Sequence, residues 1–223
     1  MQHYGVTRMP ATASNRTIGR LSIYRRLLAD LLAAKTSHVY SHQLAKAAGV
    51  TAAQVRRDLM VVGYSGSPTK GYDVQELKES IRLYLDGSEP QRVALVGVGN
   101  LGRAILAYFA GRRPNLAILA AFDKDPAKAG RVIHGCRCYD MSELPGIVAT
   151  RGIRTAIMAV PAGEAQAVTD TLTAAGVKGL LNFAPAHTRV PMDVYVENVD
   201  ITTSLEKVAF FARREAALQG QAK

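Results

Sequence analysis

Residues 93–105 read VALVGVGNLGRAI. The apolar run Val93–Val96 has the length and composition of a buried strand. Gly97, Gly99 and Gly102 follow at G-x-G-x-x-G spacing, and Arg103–Ala110 continues with helical periodicity. Each glycine answers a separate demand: Gly97 permits a tight turn, Gly99 lets the backbone approach a pyrophosphate, and Gly102 lets helix pack closely on strand. Gly97, Val98, Gly99, Asn100, Leu101 and Gly102 are therefore the expected cofactor contacts, with phosphate on the N–H groups at the helix N-terminus. Twenty-one residues beyond Gly102, Asp123 closes the apolar run Leu116–Phe122. A carboxylate at the end of a second strand accepts from both ribose hydroxyls of an adenosine and repels a 2′-phosphate. NAD is favoured over NADP, a preference that the adjacent Lys124 weakens.

Beyond this stretch, Thr155–Val160 and Gly179–Phe183 read as strands, with an alanine-rich helix over Gly163–Ala175 between them. Strands alternating with helices predict a parallel, doubly wound α/β sheet. Ligands in such sheets bind at the carboxyl ends of strands, which places Val160, Pro161, Asn182 and Phe183 on the nicotinamide side. Hydride transfer would also need a positioned acid or base. Only His134 and His187 stand in this half, both read as surface residues, and there is no room for a separate substrate domain. A bound dinucleotide is then better read as a signal than as a reagent.

The first third of the chain is of another kind. Residues 1–72 hold ten Lys or Arg against Asp30 and Asp58, a net +8 of the chain's +10. An excess concentrated at one end suits contact with a polyanion. From Arg20 to Ala34, Leu21, Tyr24, Leu27, Leu28, Leu31 and Leu32 recur at helical spacing. Ser41 is placed to cap a second helix, Gln43–Ala48, that Gly49 ends; Thr51 is placed to cap a third, with Gln54 completing a capping box. That spacing predicts a helix-turn-helix. On the third helix Val55, Leu59 and Val62 face inward, while Gln54, Arg56 and Arg57 are left to reach base edges and phosphates. GYSGSPTKGY, residues 63–72, reads as a β-hairpin wing with Lys70 near its tip. Val74–Leu85 is a further amphipathic helix, and DGSEP at 86–90 marks a boundary. The domains predicted are a winged helix over 16–88, a Rossmann domain over 89–203 and a terminal helix and tail over 204–223, with residues 1–15 disordered.

Composition limits the alternatives. The apolar runs are far short of the ~20 residues that cross a bilayer, and the first residues lack the apolar core of a secretory signal, so a cytoplasmic protein is expected. Cys136 and Cys138 are the only cysteines. On a strand they share one face, a bond between such near neighbours is strained, and zinc needs four ligands; neither disulfide nor metal is expected.

TAAQVRRDL, GYSGSPTKGYDV, VGVGNLGRAI, AAFDKDP, GVKGLLNFAP and VENVDI, in this order and spacing, resemble the Rex family of redox-sensing transcriptional repressors from about Arg16 to Ala216. The resemblance implies a homodimer, with NADH and NAD+ as cofactors, that binds an inverted-repeat operator in double-stranded DNA when NADH is scarce and lets go when NADH rises. It implies that the helix Ser204–Leu218, with apolar Leu205, Val208, Ala209 and Phe211, exchanges between subunits. It also points to Arg20, Tyr108 and Asp200 as a switch, Asp200 choosing between Tyr108 and Arg20; Ile201 departs from the bulkier aromatic expected beside this acid. Ser41, Thr51, Gln54, Arg56, Arg57 and Lys70 are the DNA-facing set. The competing readings are an NAD-dependent oxidoreductase whose basic N-terminus serves a polyanionic substrate or assembly, and a coenzyme A domain, whose 3′-phosphate Asp123 would oppose.

Overall fold

The computed structural model describes residues 13–87, 89–111 and 115–220, with side chains to 213. The chain divides into two compact units between Glu89 and Pro90, within the polar stretch that the sequence marks. Residues 1–12, most of the segment expected to be disordered, lie outside the described residues.

The first unit opens with α1 (Asn15–Ala33). It starts five residues before Arg20 because Ser14 caps it, its Oγ accepting from the Thr17 N–H at 3.2 Å. Ser14 and Asn15 therefore belong to the folded unit. Next come β1 (His38–Val39), α2 (Ser41–Ala48), α3 (Ala52–Val62), β2 (Tyr72–Asp73) and α4 (Val74–Asp86). Leu21, Tyr24 and Leu28 of α1 meet Leu44, Val55, Leu59, Leu77 and Ile81 in one core. Gly49 turns the chain between α2 and α3 at φ +68°.

Three local expectations are corrected here. Ser41 is the first helical residue, not the cap: Tyr40 is still extended as it leaves β1, and its N–H donates to Gln43 Oε1 at 2.8 Å. Thr51 does cap α3, its Oγ1 accepting from the Gln54 N–H at 3.1 Å, but the Gln54 side chain does not complete the box. Its Nε2 donates to Asp58 instead, a charge-assisted bond that outcompetes a neutral one. The wing is shorter than a ten-residue hairpin: Ser67 and Gly71 exchange both backbone hydrogen bonds, and Tyr72–Asp73 pair with His38–Val39.

The second unit runs β3 (Gln91–Val96), α5 (Asn100–Phe109), β4 (Leu116–Asp123), β5 (Val132–Ile133), β6 (Cys136–Asp140), α6 (Leu144–Thr150), β7 (Thr155–Met158), α7 (Ala165–Ala174), β8 (Gly179–Asn182), β9 (Tyr195–Asn198) and α8 (Ile201–Gly220). The strand order is β5-β6-β4-β3-β7-β8-β9, parallel except for the β5–β6 pair. Without β5, this is the doubly wound order of a Rossmann fold, reversing direction between β3 and β7. Alternation along β3 divides the core: Ala94 and Val96 pack with α6 and α7, while Val93 and Leu95 pack with Ile105 and Leu106 of α5.

The predicted strands are present, the third and fourth ending one or two residues early. Ala162–Glu164 forms a 3-10 turn, so α7 begins at Ala165 and not at Gly163. Cys136 and Cys138 share the buried face of β6 and are unbonded. Burial, then the neighbouring thiol, pushes Cys136 up to about 11, so it stays protonated and unreactive at neutral pH. Among the described residues no group of His, Cys, Asp and Glu is arranged to hold a metal, and no helix is long and apolar enough to cross a membrane.

Candidate dinucleotide cleft and DNA-facing surface

The sheet's reversal point opens into a cleft of ≈ 240 Å³ lined by Gly97, Gly99, Asp123, Lys124, Val160 and Pro161, joined by Lys128, Met141 and Glu164. Gly97 sits at φ +93°, and a Cβ there would lie 2.3 Å from the Ala159 oxygen, so only glycine lets β3 turn against the loop after β7. At Gly102 a Cβ would lie 2.0 Å from the Gly97 oxygen, which is how closely α5 packs on that loop. Gly99 meets nothing within 4 Å. It precedes Asn100, where α5 starts, so the open space lies where first-turn N–H groups have no helical acceptor. An anion is favoured there, stabilised by those N–H groups and the helix dipole.

Asp123 is buried to 7% exposure and already well used. Its Oδ2 accepts from the Val98 N–H at 2.7 Å and Lys128 Nζ at 3.0 Å, and its Oδ1 from the Asp125 N–H at 2.9 Å. Burial alone would raise its pKa, but the Asp125 N–H, Lys128 and the Val98 N–H together hold it below the usual carboxylate range. With about four acceptor positions on a carboxylate, one remains on Oδ1. The expectation that Asp123 takes both ribose hydroxyls is reduced to one while Lys128 stays in place. Lys128, missed in the sequence, was signalled by its place five residues beyond Asp123 in DKDPAK. Lys124 turns to Glu164, an exposed ion pair between two loops that line the cleft.

Val98 is wholly buried and holds Asp123 through its backbone; Asn100 and Leu101 are exposed on the first turn of α5. Asn182 and Phe183 do not line the cleft. The Asn182 amide donates to Ala186 O at 2.8 Å and Asn198 Oδ1 at 2.9 Å and accepts from the Ala184 N–H at 2.9 Å, pinning the loop after β8 to β9. Phe183 packs on the α5 side of the sheet. Tyr108 lies on α5, 59% exposed, edge-on to Phe109. Asp200 caps α8, accepting from the Thr203 N–H at 2.9 Å and Oγ1 at 2.6 Å; the Thr203 hydroxyl, then its N–H, keeps the carboxyl below its ordinary range.

In the first unit the side chains expected to face DNA group at the start of α2 and α3. Arg56 donates to Ser41 Oγ at 3.1 Å and Arg57 to Gln54 Oε1 at 3.3 Å, all on the outer side of the core. Tyr40 OH donates to Thr69 O at 2.7 Å, tying the wing to the head of α2 and displaying the neighbouring Lys70. Under this surface lies a group the sequence reading missed. Asp58, 2% exposed, accepts from Arg20 Nε at 2.6 Å and Nη2 at 2.7 Å, from Tyr24 OH at 2.9 Å and from Gln54 Nε2 at 2.9 Å. Arg20, expected as one partner of Asp200, meets Asp58 through Nε and Nη2.

A helix-turn-helix unit with basic side chains on its outer face, joined to a Rossmann unit with a nucleotide-sized cleft, has the build of a ligand-responsive transcription regulator. Residues 13–59 match a family model described as "Putative DNA-binding protein N-terminus", and residues 88–186 match the CoA binding domain model. The redox-sensing transcriptional repressor Rex of Brevibacillus brevis is 41% identical over 198 residues, covering 89% of this chain and 96% of that protein. The repressor of the same name from Leuconostoc citreum is 42% identical over 195 residues, covering 87% and 90%. The crystal structure of RSP, a Rex-family repressor, superposes with a TM-score of 0.83 at 30% identity, covering 96% of this chain and 100% of that one. RSP in complex with β-NAD+ and operator DNA gives 0.85 at 31%, covering 95% and 97%. This chain belongs to the Rex family.

Proposed function

We propose that this protein is a transcriptional repressor that binds double-stranded operator DNA when NADH is scarce and releases it when NADH fills the cleft. The observation that carries the reading is the pairing, in one chain, of a basic helix-turn-helix with a Rossmann cleft whose loop is open at Gly99. Relatives support the direction: RSP has been crystallised with β-NADH, and with β-NAD+ together with operator DNA. Gly97–Gly102, Asp123, Lys124, Val160 and Pro161 hold the dinucleotide; Ser41, Thr51, Gln54, Arg56, Arg57 and Lys70 meet DNA. A homodimer joined through α8 reads a palindrome, because two-fold symmetry in the protein matches two half-sites about one helical turn apart.

Asp200 and Tyr108 act as the cofactor-sensitive pair, and Arg20, which meets Asp58 through Nε and Nη2, keeps its Nη1 hydrogens for Asp200. The CoA reading is disfavoured because an adenosine 3′-phosphate would meet the buried Asp123 carboxylate. The oxidoreductase reading needs His187 at the reacting carbon, and His187 is exposed on the loop after β8, which does not line the cleft. The protein acts in the cytoplasm and not as an enzyme.

The test retains the protein on a random duplex pool and compares elution by NADH and by NAD+. Selective release of a palindromic sequence by NADH is the expected result. DNA held under both cofactors would detach the cleft from regulation; failure to hold DNA would remove the repressor reading.

A further inference from the structure

We propose that Asp58 is a positioning residue for DNA reading: its buried carboxylate fixes the Gln54 amide with nitrogen inward and oxygen outward, so that Gln54 is set to read adenine. The inference rests on the reading that places Gln54 among the DNA-facing side chains. Asp58 receives four donors, two from Arg20, one from Tyr24 and one from Gln54, enough to fill a carboxylate's acceptor positions. Arg20 holds it bidentately, which keeps it ionised, and its pKa stays low although burial alone would raise it. An ionised carboxylate can only accept. Of the two ends of the Gln54 amide, therefore, only the nitrogen can face Asp58; chemistry, not the placement of an oxygen or nitrogen atom, settles the orientation.

Gln54 stands three residues after the Thr51 cap, in the first turn of α3, the part of a recognition helix that meets base edges. With one N–H spent on Asp58, the amide offers outward one N–H and Oε1. That donor and acceptor pair complements N7 and the N6 amino group of adenine in the major groove. Arg57 reaches Oε1 at 3.3 Å, a long contact that a base can replace while the guanidinium turns to a neighbour. Without Asp58 the amide is released to rotate, and a half-turn exchanges donor for acceptor.

The experiment uses the full-length protein and a palindromic duplex it selects from a random pool, with a series in which each base pair is replaced in both half-sites. Affinities are compared as ratios on one protein sample, so an inactive fraction cancels. Gln54→Ala identifies the pair Gln54 reads, by loss of discrimination at one position. Asp58→Asn, which can both donate and accept, is expected to lower discrimination at that same position about tenfold, about 1.4 kcal/mol, and at no other. In the Gln54→Ala background the Asp58 change adds nothing at that position, as required if Asp58 acts through Gln54. If Asp58→Asn weakens every duplex by the same factor, Asp58 is structural only and the inference fails. If Gln54→Ala leaves discrimination intact everywhere, the assignment of Gln54 fails first and takes the inference with it. Should Asp58→Asn not fold, Asp58→Glu, which keeps charge for Arg20 and moves the carboxylate by one methylene, carries the same expectation.

Discussion

Arg20 is committed to a carboxylate 38 residues away, and the energetics of that pair are lopsided. The Arg20 side chain keeps 20% of its exposure and Asp58 only 2%. Arg20→Ala therefore strands a buried charge and is expected to destabilise the N-terminal unit by about 3 kcal/mol. Asp58→Ala leaves a guanidinium that can turn to water and strands the buried Tyr24 hydroxyl, a neutral group, so it is expected to cost less than a stranded charge. Urea melts of the two variants check the order; equal small losses would show that the pair contributes little. Acid should act on the same group. Asp58 titrates below its unfolded value, so its stabilisation is present above pH ~4 and disappears as pH falls toward the lowered folded value. Arg20→Ala should flatten that acid limb, measured as midpoint against pH. Position 58 was partly legible: it lies three residues after Val55 and four before Val62, on the buried stripe. Its partners were not, because Arg20 and Tyr24 are joined to it only by tertiary packing.

Among the elements, the glycine loop separates folding from binding more cleanly than any other. Gly97 and Gly102 are closed against backbone oxygens, whereas Gly99 faces open space at φ −78°, a value any residue adopts. Gly102→Ala is expected to lower thermal stability because a backbone oxygen 2.0 Å away cannot yield cheaply. Gly99→Ala is expected to melt within about 1 kcal/mol of the parent, the intrinsic Gly/Ala difference, yet to lose NADH affinity about tenfold or more by fluorescence titration. Undiminished NADH binding by Gly99→Ala would place the pyrophosphate elsewhere. This loop was readable because turn chemistry is local and each glycine has its own steric reason. β5, β6, β9 and α6 were not: they span two to seven residues, and β6 interrupts its buried Cys136 and Cys138 with an exposed Arg137. Such segments are fixed by the neighbours they pair with, which the sequence does not display.

For the molecule as a whole, the unanswered surface is α8. Ile201, Leu205, Val208 and Phe211 follow one another at four, three and three residues and form one stripe, 59–66% exposed, with Phe210 beside it at 55%. A monomer rarely leaves so continuous an apolar stripe to water. Burial against a second copy would gain about 25 cal/mol for each Å² of apolar surface covered, so a dimer through α8 is the expected solution state. Replacing Leu205 and Phe211 together by Asp should give a monomer by light scattering that still binds NADH, since neither residue lines the dinucleotide cleft. DNA binding should suffer far more than cofactor binding. A dimer converts engagement of the second half-site into an intramolecular event, worth on the order of 10²–10⁴ in affinity, and a monomer forfeits it. A monomer with parental operator affinity would mean that one helix-turn-helix unit suffices for DNA binding. A double variant that stays dimeric would move the subunit interface away from α8 and leave its apolar stripe to another partner.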